Sequence, residues 1–191
     1  MKKSRQEIAF QVTDVIIMIL VLLILVIWYI SVNNKLNRML VKIDEASSGI
    51  DVALTKRYDV LTKMMDTVRA YAKHEKETLF EVINLRKGMT LKEKSDANDK
   101  MNYNFDKIQV IAEAYPELKS SENYKTLQQS ILEVEEHLQA ARRMYNANVS
   151  AYNQAIAVFP NSLIANSRNF VKKDFFEAEG SKKQDVKIDL N

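Results

Sequence analysis

The sequence predicts an all-α protein: an up-and-down four-helix bundle preceded by one N-terminal transmembrane helix. Three observations predict it. An unbroken apolar run fills Val15–Ile30, and apolar residues recur at alternating spacings of four and three over most of the remaining chain. The 191 residues also hold only 3 glycines and 2 prolines. Scarce chain breakers favour long helices and disfavour glycine-rich phosphate loops, dinucleotide-binding turns and many-stranded sheets. The chain divides into a short polar N-terminal tail over 1–11, a membrane helix over 12–32, a helical bundle over 33–178 and a charged tail, expected to be flexible, over 179–191.

The run VIIMILVLLILVIWYI would rise about 24 Å as a helix, a little less than a hydrocarbon core of roughly 30 Å. Val12, Thr13, Ser31 and Val32 make up the difference. Trp28 and Tyr29 then fall at one membrane–water interface, where amphipathic rings are favoured, with Lys35 and Arg38 just beyond them. Asp14 stands near the opposite edge, within reach of water. A cleaved signal peptide shares the basic start at Lys2, Lys3 and Arg5, but the residues after the run, Ser31-Val32-Asn33-Asn34-Lys35, offer no small-x-small cleavage site. Three basic residues flank the run on each side, so charge assigns no orientation.

Past the span, one seam reads Leu36, Leu40, Ile43, Ser47, Ile50, Leu54, then Tyr58, Leu61, Met65, Val68, Ala72, Glu75, Leu79 and Val82. Two successive steps of four, 50 to 54 to 58, form a stutter, so this stretch is either one long helix kinked near Gly49–Tyr58 or two helices meeting there. Gly88-Met89-Thr90 ends it, and polar Lys92–Lys100 reads as a loop or frayed turn. A second seam, Met101, Phe105, Ile108, Ala112, Tyr115, stops at Pro116. The short connection Pro116–Ser120 implies antiparallel neighbours. A long helix starts near Ser121, an N-cap candidate, and ends at Pro160. Its seam pairs Leu127, Val134, Ala141, Asn148 and Ala155 with Ile131, Leu138, Tyr145, Tyr152 and Phe159. Asn148 alone interrupts it and is expected to fix helix register. Asn161–Ala178 is expected to fold back as a short helix. Such seams need facing helices, because an isolated amphipathic helix is only marginally stable in water.

Composition excludes more than it names. With 0 cysteines there are no disulfides, thiolate metal sites or cysteine nucleophiles. A net charge of +3 is too mild and too dispersed for a nucleic-acid partner. A di-iron bundle site needs two Glu-x-x-His pairs, yet Tyr71 and Val134 stand three residues before His74 and His137, the chain's two histidines. Glu133 and His137 share a helix face, and His74 neighbours Glu75 and Glu77; both read as surface ion pairs. No zinc-protease motif, nucleophile elbow or phosphate loop is present. No catalytic residue, metal or cofactor is therefore expected.

Two tyrosine–asparagine pairs remain. Tyr145 and Tyr152 lie seven apart, beside Asn146 and Asn153. They read first as core tyrosines whose asparagines bond neighbouring backbone, and second as a polar–aromatic groove for a partner helix or peptide, with Arg142 at its edge. Lys56-Arg57 and Arg142-Arg143 read as solvated surface, with Asp51 or Asp59 as an alternative partner for Arg142.

Ordered fragments resemble a known family. Ile50-Asp51-Val52 precedes Lys56-Arg57-Tyr58-Asp59, then Tyr71-Ala72-Lys73-His74-Glu75 and Ala112-Glu113-Ala114-Tyr115-Pro116-Glu117-Leu118-Lys119. Arg142-Arg143-Met144-Tyr145-Asn146, Tyr152-Asn153 and Phe159-Pro160-Asn161 follow. Together they resemble the LemA family, with departures at Ser47, Thr62 and Asn169, where that family tends to carry Trp, Pro and Gly. The missing proline at Thr62 favours a smoother helix there. The resemblance implies a single-pass protein of the bacterial cell membrane with a four-helix domain and no catalytic residues. It also implies an association with membrane zinc proteases and envelope stress. The expected partners are the lipid bilayer, another membrane or envelope protein such as a membrane zinc protease, and a second copy of the chain where seams leave apolar strips bare. A scaffold or interaction module is the preferred reading. The alternative is a sensor that passes motion from the membrane helix into the bundle through the stutter.

Overall fold

The computed structural model describes residues 2–72 and 80–176. Among these described residues five helices run in order: α1 (Lys2–Tyr71), α2 (Leu91–Ala114), α3 (Pro116–Ser120), α4 (Glu122–Ala157) and α5 (Asn161–Ser167). The chain separates into two compact units. One comprises Met1–Lys42 with Val149–Lys173, the other Ile43–Asn148 with Asp174–Asn191.

In the second unit α1 passes without a break through Gly49 and the stutter to Tyr71. Of the two arrangements the seam allows, the single helix is the one found. Thr62 stays in the helix, its hydroxyl donating to the Tyr58 carbonyl at 2.8 Å. The seam does not continue as a helix to Val82, which lies in extended chain and is 72% exposed. Glu75 and Leu79 fall outside the described residues.

The polar stretch Lys92–Lys100, expected as loop, is instead the first part of α2. Thr90 starts it with a capping box: its hydroxyl accepts from the Glu93 N–H, and the Glu93 carboxylate accepts from the Thr90 N–H at 2.7 Å. Its inward stripe is Lys94, Asn98, Met101, Ile108 and Ala112, a seam whose first members are polar. Pro116 ends α2 as expected, leaving Tyr115 at φ −121°, and then opens the one-turn helix α3 at its first position, where proline is tolerated. Ser121 caps α4, its hydroxyl accepting from the Tyr124 N–H at 3.3 Å.

Three sets of contacts fix directions. Thr67 meets Asn123, Arg57 meets Glu135, and a Cβ on Gly49 would stand 4.0 Å from that of Ala141, so α4 runs antiparallel to α1. Ser47 and Asp51 meet Lys94 while Arg57 meets Asn98 and Asn102, so α2 runs parallel to α1. Glu81 meets Asn104 and Arg86 meets Glu93, so the chain from residue 80 runs antiparallel to α2. The up-and-down alternation is thus kept, with an extended leg as the descending rung between α1 and α2. Gly88, at φ 80°, turns that leg into α2. The core joins Leu61, Met64, Met65 and Val68 of α1, Ile83 of the leg, Met101, Ile108 and Ala112 of α2, Leu118 of α3, and Tyr124 and Ile131 of α4.

The first unit buries Val32 and Leu36 of α1 against Val149, Tyr152 and Ile156 of α4 and Ile164 and Ala165 of α5. Here the α4 seam departs from the strict heptad. Val149 and Ile156 are buried where Asn148 and Ala155 were expected, Asn148 is half-buried, and Phe159 is 74% exposed. A straight helix drifts about 20° per heptad against a 3.5-residue repeat, so over three heptads the stripe turns by about 60°, more than half of the roughly 100° between successive residues, and the next position becomes the inward one. Asn148 is therefore no core register device. α5 also ends earlier than expected, at Ser167. Asn169 takes a left-handed φ of 55°, and the Phe170 N–H bonds the Ala165 carbonyl at 2.9 Å. Asparagine tolerates this conformation better than other side chains except glycine, so the departure from the family's glycine is conformationally conservative. After this turn, residues 170–176 leave the helix as an extended strap.

Candidate functional site

The densest polar chemistry lies in the second unit, around two buried cations. Arg57, 5% exposed, turns inward on α1 beside the seam residue Tyr58 and spreads its planar fork over three acceptors. These are the Asn98 carboxamide, the Asn102 carboxamide at 2.6 Å and the Glu135 carboxylate at 3.1 Å. Asn98 and Asn102 stand one turn apart on α2, and Glu135 comes from α4, so one side chain ties three helices. Lys94, 3% exposed, reaches Asp51 at 2.7 Å and the Ser47 hydroxyl at 2.9 Å. Ser47 stands where the family tends to carry Trp; here its hydroxyl serves the lysine. Arg57 is thus no solvated residue, and Asp51, one expected partner of Arg142, holds Lys94.

A second device recurs on the helices: an asparagine carboxamide that satisfies both backbone groups of one extended residue. Asn104, fully buried, donates to the Glu81 carbonyl at 2.9 Å and accepts from the Glu81 N–H at 2.8 Å. Asn146 does the same for Phe176, at 3.0 and 2.8 Å. In the first unit Asn153 does it for Lys173, at 2.8 and 2.9 Å. Extended chain outside a sheet must find partners for its N–H and C=O groups, and one carboxamide supplies both.

The remaining residues of the expected interaction surface join this clasp. Tyr145 is buried and donates to the Asp174 carbonyl at 3.1 Å, and Arg142 stacks 4.7 Å from the Phe176 ring centroid. Tyr152 is buried in the first unit. Burial raises the phenols of both tyrosines above the ordinary 10, with the Asp174 and Asp44 charges adding to it at Tyr145. Both phenols are therefore neutral, and Tyr145 acts as a hydrogen-bond donor. The polar–aromatic face read from sequence is occupied by the chain's own strap. Of the interface residues, Trp28 is half-buried, and Tyr29, Lys35 and Arg38 are exposed.

A cleft of 560 Å³ opens between α1 and the extended leg, with Leu54, Tyr58, Leu85 and Met89 as its apolar part and Asp51, Asp59, Arg86 and Lys87 as its charged part. Among the described residues no group of three or more His, Asp or Glu side chains is placed to hold a metal ion. Glu133 and His137 are surface residues, and His74 lies outside the described residues. The arrangement fastens helices to one another and to the strap.

Arg57 and Lys94 escaped the sequence reading because their partners are distant in the chain and a Lys-Arg pair reads as solvent-facing. A signal was present: Lys94 and Asn98 continue the Met101–Ile108 seam toward the N-terminus in steps of four and three. Thr90-x-x-Glu93 likewise marks the true start of α2.

A family model for the LemA family matches residues 46–190. The protein LemA of Metamycoplasma hominis is 29% identical over 170 residues, covering 83% of this chain and 74% of that protein. The magnetosome protein MamQ of Magnetospirillum gryphiswaldense is 29% identical over 70 residues, 37% of this chain and 26% of that protein. A MamQ of Paramagnetospirillum magneticum is 30% identical over 71 residues, again 37% of this chain and 26% of the relative. With its buried network, clasped strap and capped helices lying within the matched region, this chain belongs to the LemA family.

Proposed function

We propose that the chain is a noncatalytic, single-pass membrane-anchored bundle that serves as an interaction module in the bacterial cell envelope. Its partner is another membrane or envelope protein, with a membrane zinc protease the class that the family association suggests. One observation carries the reading. From Val15 to Ile27 every side chain of α1 is large, apolar and exposed, in a helix long and apolar enough to cross a bilayer. Packed charge networks that fasten helices, with no catalytic constellation among the described residues, support a binding role over chemistry. Alkaline extraction of cell membranes tests the anchor: the full chain stays in the pellet, and release to the supernatant sinks the proposal. Crosslinking in intact cells, followed by identification of the attached chains, tests the module. A recurrent envelope protein is expected, and adducts no different from those of an unrelated membrane protein would refute it.

The continuity of α1 supports a second reading, a sensor that relays the state of its membrane helix. Asn34→Pro interrupts the helix hydrogen bonding just past the apolar run. A scaffold keeps its crosslinked partners under this substitution, whereas a relay changes them.

A further inference from the structure

We infer that the corner between α4 and α5 is a second membrane contact, docking on the headgroup layer of the bilayer that α1 crosses. The inference rests on the anchor reading above and adds a lipid-binding surface to it. Within the first unit, α1 is exposed along its apolar run and first becomes fully buried at Val32 and Leu36. The other buried residues of that unit come from the end of α4 and from α5, so the corner packs where α1 leaves its apolar run. There it presents Val158, Phe159 and Leu163, each more than half exposed, followed by exposed Val171 on the strap. Water-facing apolar residues clustered at this level are unfavourable in water and favourable in the boundary between headgroups and acyl chains.

Charge points to the same occupant. Residues 15–43 and 149–173 contain six basic residues and no acidic one, leaving 22 basic against 25 acidic residues for the rest of the chain. Lys35, Arg38, Arg168, Lys172 and Lys173 are exposed. Apolar tips paired with exposed lysines and arginines suit an anionic lipid surface, which attracts each basic side chain near it. A partner protein of mixed charge has no such requirement.

The chain has no cysteine, so single substitutions give unique spin-label sites. Phe159→Cys, Leu163→Cys, Leu23→Cys and Met144→Cys in the full chain are labelled and placed in nanodiscs of phosphatidylcholine, or of an equal mixture with phosphatidylglycerol. Collision with oxygen against a water-soluble nickel chelate then reads depth. Labels at 159 and 163 are expected to favour oxygen, more so with phosphatidylglycerol, while 144 stays aqueous. Replacing Arg168, Lys172 and Lys173 with Gln should lower the docked fraction's ratio about fivefold per residue removed. Labels at 159 and 163 as aqueous as 144, with 23 in lipid, overturn this inference and spare the anchor. Shielding of both from either reagent means that protein covers the corner and also overturns it. An aqueous label at 23 overturns the anchor and the inference together. Leu163→Cys keeps the test standing if Phe159→Cys does not fold, as judged by helical circular dichroism.

Discussion

Two stretches of the one helix α1 treat apolar side chains in opposite ways. From Val15 to Ile27 every side chain is 45–66% exposed, whereas Ile43, Ile50, Leu54, Leu61 and Val68 are 3% exposed or less. Helical geometry is the same in both, so composition around the cylinder makes the difference. The first stretch is apolar all round, and no neighbouring helix can cover such a surface on every side. The second has one apolar stripe, which α2, α4 and the extended leg cover, and it uses its remaining inward position for Arg57. A continuous helix therefore does not imply a continuous environment: the same backbone carries an exposed surface that is apolar all round in one half and a protein core in the other.

Paired substitutions break or sharpen that contrast. The largest difference is expected between two arginines. Arg57→Ala leaves Glu135, Asn98 and Asn102 without their common partner and should lower stability by about 3–5 kcal/mol. Arg38→Ala, exposed on α1 beyond the first stretch, should change it by less than about 0.5 kcal/mol. Urea unfolding of the full chain in detergent micelles measures both, and equal effects would erase the contrast. Next come the leucines: Leu61→Ala should cost about 2–5 kcal/mol, and Leu23→Ala, which opens no cavity in protein, should leave the same transition in place. Asn146→Ala strips the strap of two backbone hydrogen bonds and should cost about 1–3 kcal/mol, with faster amide exchange at Phe176 than at residues of α4.

Thr90→Ala removes the α2 cap and should cost about 1 kcal/mol. It also carries a pH test. The Thr90 N–H and hydroxyl, with help from Arg86, hold the Glu93 carboxyl below its ordinary 4.5 against a small desolvation. A lowered folded pKa stabilises above 4.5, and that contribution fades as pH falls through the folded value. Thr90→Ala keeps the backbone N–H, the larger cause, and removes only the hydroxyl, so the acid side of the stability profile should become shallower without losing its slope; an unchanged slope would show that the hydroxyl does not contribute to it. The smallest effect runs the other way. Gly49→Ala meets only an ordinary contact with Ala141 and should stabilise by up to about 1 kcal/mol.

The sequence made the apolar run and most of the α1 seam legible because both depend on local spacing. Pro116 and Ser121 were legible for the same reason: a ring without an N–H and a hydroxyl at a helix start act within a turn. Arg57, Lys94 and Asn98 were not, since a charge or amide enters a core only when distant residues supply its partners. Val149 and Ile156 were missed because a strict heptad was carried further than a straight helix keeps it. Ile83, buried in the extended leg, had no periodic signal to betray it. The Tyr145–Asn146 and Tyr152–Asn153 pairs were recognised as a face, but what rests on them, the chain's own strap, depends on where α5 ends.

Because the asparagine clasps grip main chain, they are indifferent to the identity of what they hold. Glu81 and Lys173 are fastened through N–H and C=O while their own side chains point to solvent. Substitutions at these two positions can therefore accumulate over evolution without loosening the fastening. The helix asparagines have no such freedom: even aspartate, with the same outline, lacks the amide donor that completes the grip. Conservation across relatives should then fall on the hand and not on what it grasps.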